Sequence, residues 1–309
     1  MRKFNLKGNV AERMKGIPME EPNPGKETET KAGEQSPDPG FSTEQGQLRW
    51  AWRTDVGRLR KNNQDAVILG NGLAGVADGM GGHKGGEIAS AGLRDGLLRE
   101  TKDRHPDCTV LQEAVKTVNY ELWKQQENDS ALSGMGTTLT VLWPTEKDMI
   151  VGQIGDSRAY LLRDGELTQV TDDHSMVADM VRKGVLTEEQ AACHPMRNYI
   201  TRAVGTEENI EIDITTHDRK QGDRWLICSD GLYGMLTKAQ LLQAMQCGEF
   251  EESADKLLAA ALLGGGKDNI SLVLLWDDTA IAEEKEPEEK NISEDQSAEG
   301  DAPEEVTDP

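Results

Sequence analysis

Apolar positions along the chain fall into two periods. Short apolar runs and two-residue alternations mark strands at 48–54, 66–69 and 73–77. Two longer stretches follow. One is 87–100, with Ile88, Ala91, Leu93, Leu97 and Leu98; the other is 110–127, with Leu111, Ala114, Val115, Val118 and Leu122. Apolar residues recurring at such intervals through longer polar stretches predict two helices. Strand-like runs return at 137–143, 149–154 and 158–162, and an Asp164-Gly165 turn joins the last to 166–170 as a hairpin. Short helices are predicted at 176–183 and 187–193, strands at 210–214 and 224–228, helices at 237–245 and 253–263, and a closing strand at 270–276. Strand runs and helical runs are grouped rather than strictly alternating. The pattern therefore predicts an α+β domain on mainly antiparallel sheets, not a doubly wound one.

Outside 46–276 the pattern stops. Residues 1–45 are rich in Glu, Pro, Gly, Thr and Lys, and 277–309 hold 14 acidic against 2 basic residues. Neither segment has the apolar surface to offset its ordering entropy. A disordered N-terminal extension (1–45) and a disordered acidic C-terminal tail (277–309) are expected to flank a single domain at 46–276. The net charge of −22 divides into −12 in the tail, −1 in the extension and −9 in the domain. With no basic patch in view, a nucleic-acid partner is excluded. No apolar run nears the ~20 residues of a membrane-spanning helix. Arg2, Lys3 and Lys7 have no apolar stretch behind them to make a secretory signal, so a cytoplasmic monomer is expected. Cys108, Cys193, Cys228 and Cys247 form no close-spaced pair, which points to reduced thiols.

Five aspartates stand each at the end of a strand-like run. They are Asp65 in Asn62-Asn63-Gln64-Asp65, Asp78 in Val76-Ala77-Asp78-Gly79-Met80-Gly81-Gly82, Asp156 in Ile154-Gly155-Asp156-Ser157-Arg158, Asp230 in Cys228-Ser229-Asp230-Gly231-Leu232, and Asp268 in Gly266-Lys267-Asp268-Asn269-Ile270. Singly, each is an ordinary turn former. If those turns gather at one edge of layered sheets, several carboxylates converge on one cleft and repel each other. A hard divalent cation resolves that conflict, and magnesium or manganese prefers such an octahedral oxygen shell. Two such ions roughly 3.5–4 Å apart can activate a water for in-line attack on phosphorus, with no side-chain nucleophile. Consistent with this, neither Cys193 nor Cys228 is followed by the arginine of a cysteine-phosphatase loop, and no HExxH pair occurs. Lacking a Cβ, Gly79 leaves its carbonyl open to close approach by a metal. Arg60, five residues before Asp65 and at the end of the first strand, offers a fork for two phosphate oxygens. Gly70-Asn71-Gly72-Leu73-Ala74-Gly75 fits a GxGxxG pattern but leads into a strand, so it reads as a hairpin turn rather than a dinucleotide site.

Seven segments resemble, in order, the motifs of the metal-dependent type 2C serine/threonine protein phosphatases, in their compact bacterial form. They are Thr54 to Asp65, Ala77-Asp78-Gly79-Met80-Gly81-Gly82-His83, Gly136-Thr137-Thr138, Gly155-Asp156-Ser157-Arg158-Ala159-Tyr160, Asp172-Asp173-His174-Ser175, Ser229-Asp230-Gly231-Leu232 and Lys267-Asp268-Asn269. The resemblance runs from Arg49 to Trp276. It implies a sandwich of two antiparallel sheets flanked by helices, with the metal site at one end. It also implies two core Mn²⁺ or Mg²⁺ ions on Asp65, Asp78, the carbonyl of Gly79, Asp230 and Asp268, and a weaker third ion on Asp156. Arg60 would bind the substrate phosphate, and a flap around 176–194 would shape access for phosphorylated protein substrates. A serine/threonine kinase and its targets are the implied partners. Met80 stands where many eukaryotic members carry histidine, with His83 nearby. A catalytically silent phosphoprotein-binding module of the same fold is the alternative reading.

Overall fold

The computed structural model describes residues 42–43, 46–82, 84–246 and 250–278. The chain opens with β1 (Ser42–Thr43), β2 (Gly46–Asp55), β3 (Asp65–Gly70) and β4 (Leu73–Met80), then two helices, α1 (Gly85–Glu100) and α2 (Cys108–Asn128). After a 3-10 turn at Ser130–Leu132 come β5 (Gly136–Thr137), β6 (Leu139–Pro144), β7 (Asp148–Ile154), β8 (Arg158–Arg163) and β9 (Glu166–Gln169). Helices α3 (Met176–Arg182) and α4 (Glu188–Ala192) precede β10 (Asp213–Asp218) and β11 (Arg224–Cys228). The last elements are α5 (Asp230–Tyr233), α6 (Lys238–Met245), α7 (Phe250–Leu263) and β12 (Ile270–Asp277).

Two sheets result. One runs β1-β2-β12-β11-β8-β9, the other β10-β7-β6-β4-β3 with β5 paired to β4, and all of these pairings are antiparallel. Leu48, Val76, Leu142, Trp225, Ile227 and Val273 fill the space between the sheets. Leu93, Leu97, Leu111 and Val115 of α1 and α2 cover the outer face of the second sheet, against Ile68, Leu139 and Val141. Leu232, Leu241 and Leu257 of α5, α6 and α7 cover the first, against Leu226, Leu272 and Leu274. The α+β sandwich flanked by helices is therefore as expected. Burial on both faces explains why β6 and β12 are buried at every position and read as continuous apolar runs instead of alternating ones. Among the described residues, no helix is long and apolar enough to cross a membrane.

Element bounds differ from the sequence pattern in informative places. The run at 137–143 is two strands, broken at Thr138. There the backbone N–H donates to the Asp78 carbonyl (2.9 Å) and Oγ1 accepts from the Asp78 N–H (2.9 Å), tying the break to the level of Asp78. The strand expected at 210–214 begins at Asp213 instead. Ile210 and Ile212 are buried from a loop, and the edge strand β10 has mostly exposed side chains that carry no apolar signal. Asp277, assigned by composition to the acidic tail, is the fully buried last residue of β12. Ser42–Thr43, assigned to the extension, pair with Gln47 and Gly46; the rest of 1–45 and 279–309 lie outside the described residues. The Asn71-Gly72 turn between β3 and β4 has φ +52° and +78°, the left-handed pair that a two-residue hairpin requires, as expected for the GxGxxG segment.

Candidate active site

Antiparallel register brings the aspartates to one end of the sandwich. Asp65 opens β3 directly opposite Asp78 in β4, and directly opposed residues have Cβ atoms about 4.5–5.5 Å apart. Asp230 is the first residue of α5, just past the end of β11, and the Ser229 N–H holds that exit by donating to the Ser271 carbonyl (3.0 Å). Asp268 precedes β12, and Asp156 lies between β7 and β8. Asp65 and Asp268 thus stand at strand starts rather than strand ends. In an antiparallel sheet the start of one strand adjoins the end of its neighbour, which is how all five meet. Arg60 sits in the loop between β2 and β3, not at the end of the first strand.

Close backbone contacts fix the loops. A Cβ on Gly57, at φ +76°, would lie 2.1 Å from the Asp268 carbonyl oxygen, and one on Gly231 would lie 1.9 Å from that of Asn269. Gly79 is required for a related reason. Its Cβ would meet the Gly86 carbonyl oxygen at 2.1 Å, so this glycine first serves the packing of β4 on the start of α1. Asn269 pins the loop that carries Arg60. Its Oδ1 accepts from Gln64 N (2.9 Å), and its Nδ2 donates to the carbonyls of Val56 (3.0 Å) and Asn62 (2.9 Å). Arg60, half exposed, donates from Nη2 to Asp268 Oδ2 (2.7 Å), whose other oxygen accepts from Asn269 N (2.8 Å). Ser229 donates to Asp65 Oδ2 (2.9 Å), and its own Oγ accepts from Ser271 N (3.0 Å). Asp65 Oδ1 is buried with no partner.

The electrostatics are those of crowded like charges. Burial, and then Asp230 and Asp268, push the Asp65 carboxyl up to about 7 against the hydrogen bonds from Ser271 and Ser229. Burial pushes Asp78 well above the usual carboxylate range, and Asp65, Asp230, Asp156 and Asp268 all add to it. Asp156 is raised to about 8 by burial, Asp230 and Asp173, and Asp230 to about 6 by burial and Asp268. Among the described residues no three carboxylate, imidazole or thiol side chains form the closed shell of a held cation. Asp230 instead crowds Asp78, and Asp268 is engaged by Arg60. An orphaned buried oxygen beside several like-charged carboxylates is nevertheless a donor set that fits a hard divalent cation. Around Asp156 the support is polar. Tyr233 donates its hydroxyl to the Asp156 carbonyl (2.9 Å), and Arg158, stacked on that tyrosine ring, pairs with Asp173 (2.7 Å).

Asp78 therefore feels the other four predicted aspartates, and Arg60 joins the group through Asp268. His83 and Cys247 lie outside the described residues; Cys108, Cys193 and Cys228 are free thiols, as expected. Sequence reasoning assigned no role to Ser229, Ser271, Thr138 or Asn269. Ser229 and Asn269 adjoin predicted ligands, which is the signal that could have found them; Ser271 is hidden inside an apolar strand.

This end of the molecule defines a class: an α+β sandwich closed at one end by crowded carboxylates with a half-exposed arginine beside them. A family model of protein phosphatase 2C matches residues 58–262. The chain is 43% identical over 230 residues to the serine/threonine protein phosphatase PstP of Mycobacterium tuberculosis, across 74% of this chain and 44% of that relative, so it spans less than half of PstP's length. It is 34% identical over 240 residues to the serine/threonine phosphatase stp of Listeria innocua, across 72% of this chain and 94% of that relative. The crystal structure of M. tuberculosis PstP/Ppp matches with TM-score 0.71 at 41% identity, over 75% of this chain and 99% of that one. The PstP catalytic domain in complex with two manganese ions matches with TM-score 0.69 at 40% identity, over 74% and 99%. The chain belongs to the protein phosphatase 2C family.

Proposed function

We propose that this chain is a metal-dependent serine/threonine protein phosphatase that hydrolyses phosphoserine and phosphothreonine on proteins, and that residues 46–276 carry the activity. The observation that carries the reading is the cluster of mutually repelling, partly buried aspartates with Asp65 Oδ1 buried and unpartnered. Asp65, Asp78, the Gly79 carbonyl, Asp230 and Asp268 would hold two Mn²⁺ or Mg²⁺ ions, and Asp156 a third, weaker one. Bound there, the metal supplies Lewis acidity and an activated water for attack on phosphorus in line with the serine or threonine oxygen. Ser229 orients Asp65 through its hydroxyl, and the Ser271 N–H holds that hydroxyl in place. Asn269 holds the Arg60 loop so that the guanidinium, a five-donor fork, can exchange its contact with Asp268 for two phosphate oxygens. Preorganised positive charge at that position stabilises charge developing on the phosphoryl group.

The proposed setting is a bacterial cytoplasm, with a serine/threonine kinase and its substrates as partners in signalling; the acidic balance of the domain and the absence of a basic patch fit protein rather than nucleic-acid substrates. The test is manganese-dependent hydrolysis of p-nitrophenyl phosphate and of a phosphothreonine peptide, insensitive to thiol alkylation. Activity is expected to be lost in Asp78→Ala and Asp230→Ala; retention in either variant rejects the reading.

A further inference from the structure

The segment 176–199, carrying α3 and α4, leaves the sandwich and returns through one short ladder. Met176 N donates to the Tyr199 carbonyl (2.9 Å), Thr201 N donates to the His174 carbonyl (2.8 Å), and Ser175 bridges Ile200. His174 stands at this root, and it is buried. Its Nδ1 accepts from Gly155 N (3.1 Å) while its own backbone N–H donates to the Gly155 carbonyl (2.8 Å). Side chain and backbone thus both clasp the residue immediately before Asp156.

The far ring nitrogen, Nε2, lies 2.9 Å from Asp213 Oδ2 in β10, with Arg202 Nη1 at 3.3 Å. An N–H arriving at Nδ1 requires a lone pair there, so the hydrogen-bond pattern assigns the ring proton to Nε2 and makes Asp213 its acceptor. Gln153 holds the same turn from the other side, with Nε2 donating to the carbonyls of Gly155 and Ser157 (2.9 Å each). Gly155 has φ +95°, and a Cβ there would lie 2.6 Å from Thr138 Cγ2, so the turn has one place to sit. One imidazole therefore joins the Asp156 turn, the root of the 176–199 excursion and an edge strand.

We propose that His174 is a positioning residue that keeps the Asp156 turn and the 176–199 excursion in one register, so that cation affinity at Asp156 and the placement of the excursion are coupled. This rests on the reading of Asp156 as a ligand of the weaker ion. If the ring were only filling space, any polar side chain of similar size would serve. The geometry demands more, because the two ring nitrogens have separate tasks. In His174→Asn, Oδ1 falls near the place of Nδ1 and can still accept from Gly155 N, while the link to Asp213 is lost. In His174→Gln, the longer side chain reaches Asp213 but leaves the Gly155 N–H without its ring acceptor.

Hydrogen exchange on the metal-free full chain, together with calorimetric manganese titration, separates these roles. His174→Gln is expected to speed exchange at 152–158 and 175–201, and to weaken the weakest manganese site, each by up to about 10-fold, the worth of one buried hydrogen bond. His174→Asn is expected to leave 152–158 and that site near wild type, and β12 is expected to stay protected in both. The proposal is overturned by unchanged exchange in His174→Gln, by equal effects in the two variants, or by loss of protection spreading to β12. Asp156→Asn tests the underlying reading separately. If it leaves the weakest site intact, the ligand assignment fails, while the exchange data still decide what His174 holds together.

Discussion

The two ends of β12 hold buried charge in opposite ways. At one end Asp277 accepts from Arg219 Nε (2.7 Å) and Nη2 (3.1 Å), with both side chains fully buried, and Arg163 makes the same two-point contact with Asp223 alongside (2.7 Å each). Roughly 25 Å away, at ~3.3 Å of strand rise per residue, Asp268 lies beside Asp65, Asp78 and Asp230. Arg60 and Arg158 are the nearby cations there, and they do not offset the crowding: Asp65, Asp78, Asp156 and Asp230 all stay pushed upward. The first end closes its charges against each other and fixes where the last strand stops. The second leaves its charges open, at the expense of stability, so that something else can close them. Uncompensated buried charge of one sign in an otherwise well-packed domain marks the working end.

The contrast can be broken from either side. The largest effect is expected from Asp78→Asn. Phosphopeptide hydrolysis should fall by about 10²–10³-fold or more, the scale of losing one preorganised electrostatic contributor, while the metal-free Tm should rise because a source of repulsion is gone. A loss of activity accompanied by a lower Tm would make Asp78 a structural residue. At the other end, Asp277→Ala should cost about 3–5 kcal/mol in urea unfolding, because it strands a buried guanidinium. Activity per folded molecule should be unchanged, and a selective loss of turnover would erase the distinction between the ends.

A smaller effect is expected from pH. Burial and like charges raise Asp230 to about 6, Asp65 to about 7 and Asp156 to about 8, from a usual 3.8. Between those values the folded, metal-free protein binds more protons than the unfolded chain, so these groups' contribution is fully present below about pH 4 and is lost as pH rises through 6 to 8. The metal-free Tm should therefore fall from pH 5 to pH 8, and saturating manganese should flatten that slope. A metal-free Tm that rises over the same range would contradict the crowding.

Much of this was legible before the fold. The Asp65–Asp78 hairpin, the Asp164-Gly165 turn and the amphipathic helices were readable because local period and turn chemistry set them. What the residues alone could not supply is register. The pairing that puts Ser271 behind Ser229, and the Ser229 hydroxyl on Asp65, exists only once strands distant in sequence are aligned. Asp277 shows the limit most clearly. Composition places it with the acidic residues that follow, yet it is the buried partner of Arg219, 58 positions earlier. The edge strand β10 was misplaced for the complementary reason, since Ile210 and Ile212 lie in the loop before the strand and only Ile214 lies in it.

Manganese binding to the metal-free protein, followed by calorimetry at pH 6.5 in buffers of different ionisation enthalpy, addresses the working end most directly. Carboxyls held protonated by one another must give up protons when a cation takes their place. At least two binding events with net proton release are expected in the wild type, and the tight events should disappear in Asp78→Asn. Heats that do not vary with buffer, or unaltered manganese uptake by Asp78→Asn, would mean that the aspartates at this end of the sandwich are not a cation site.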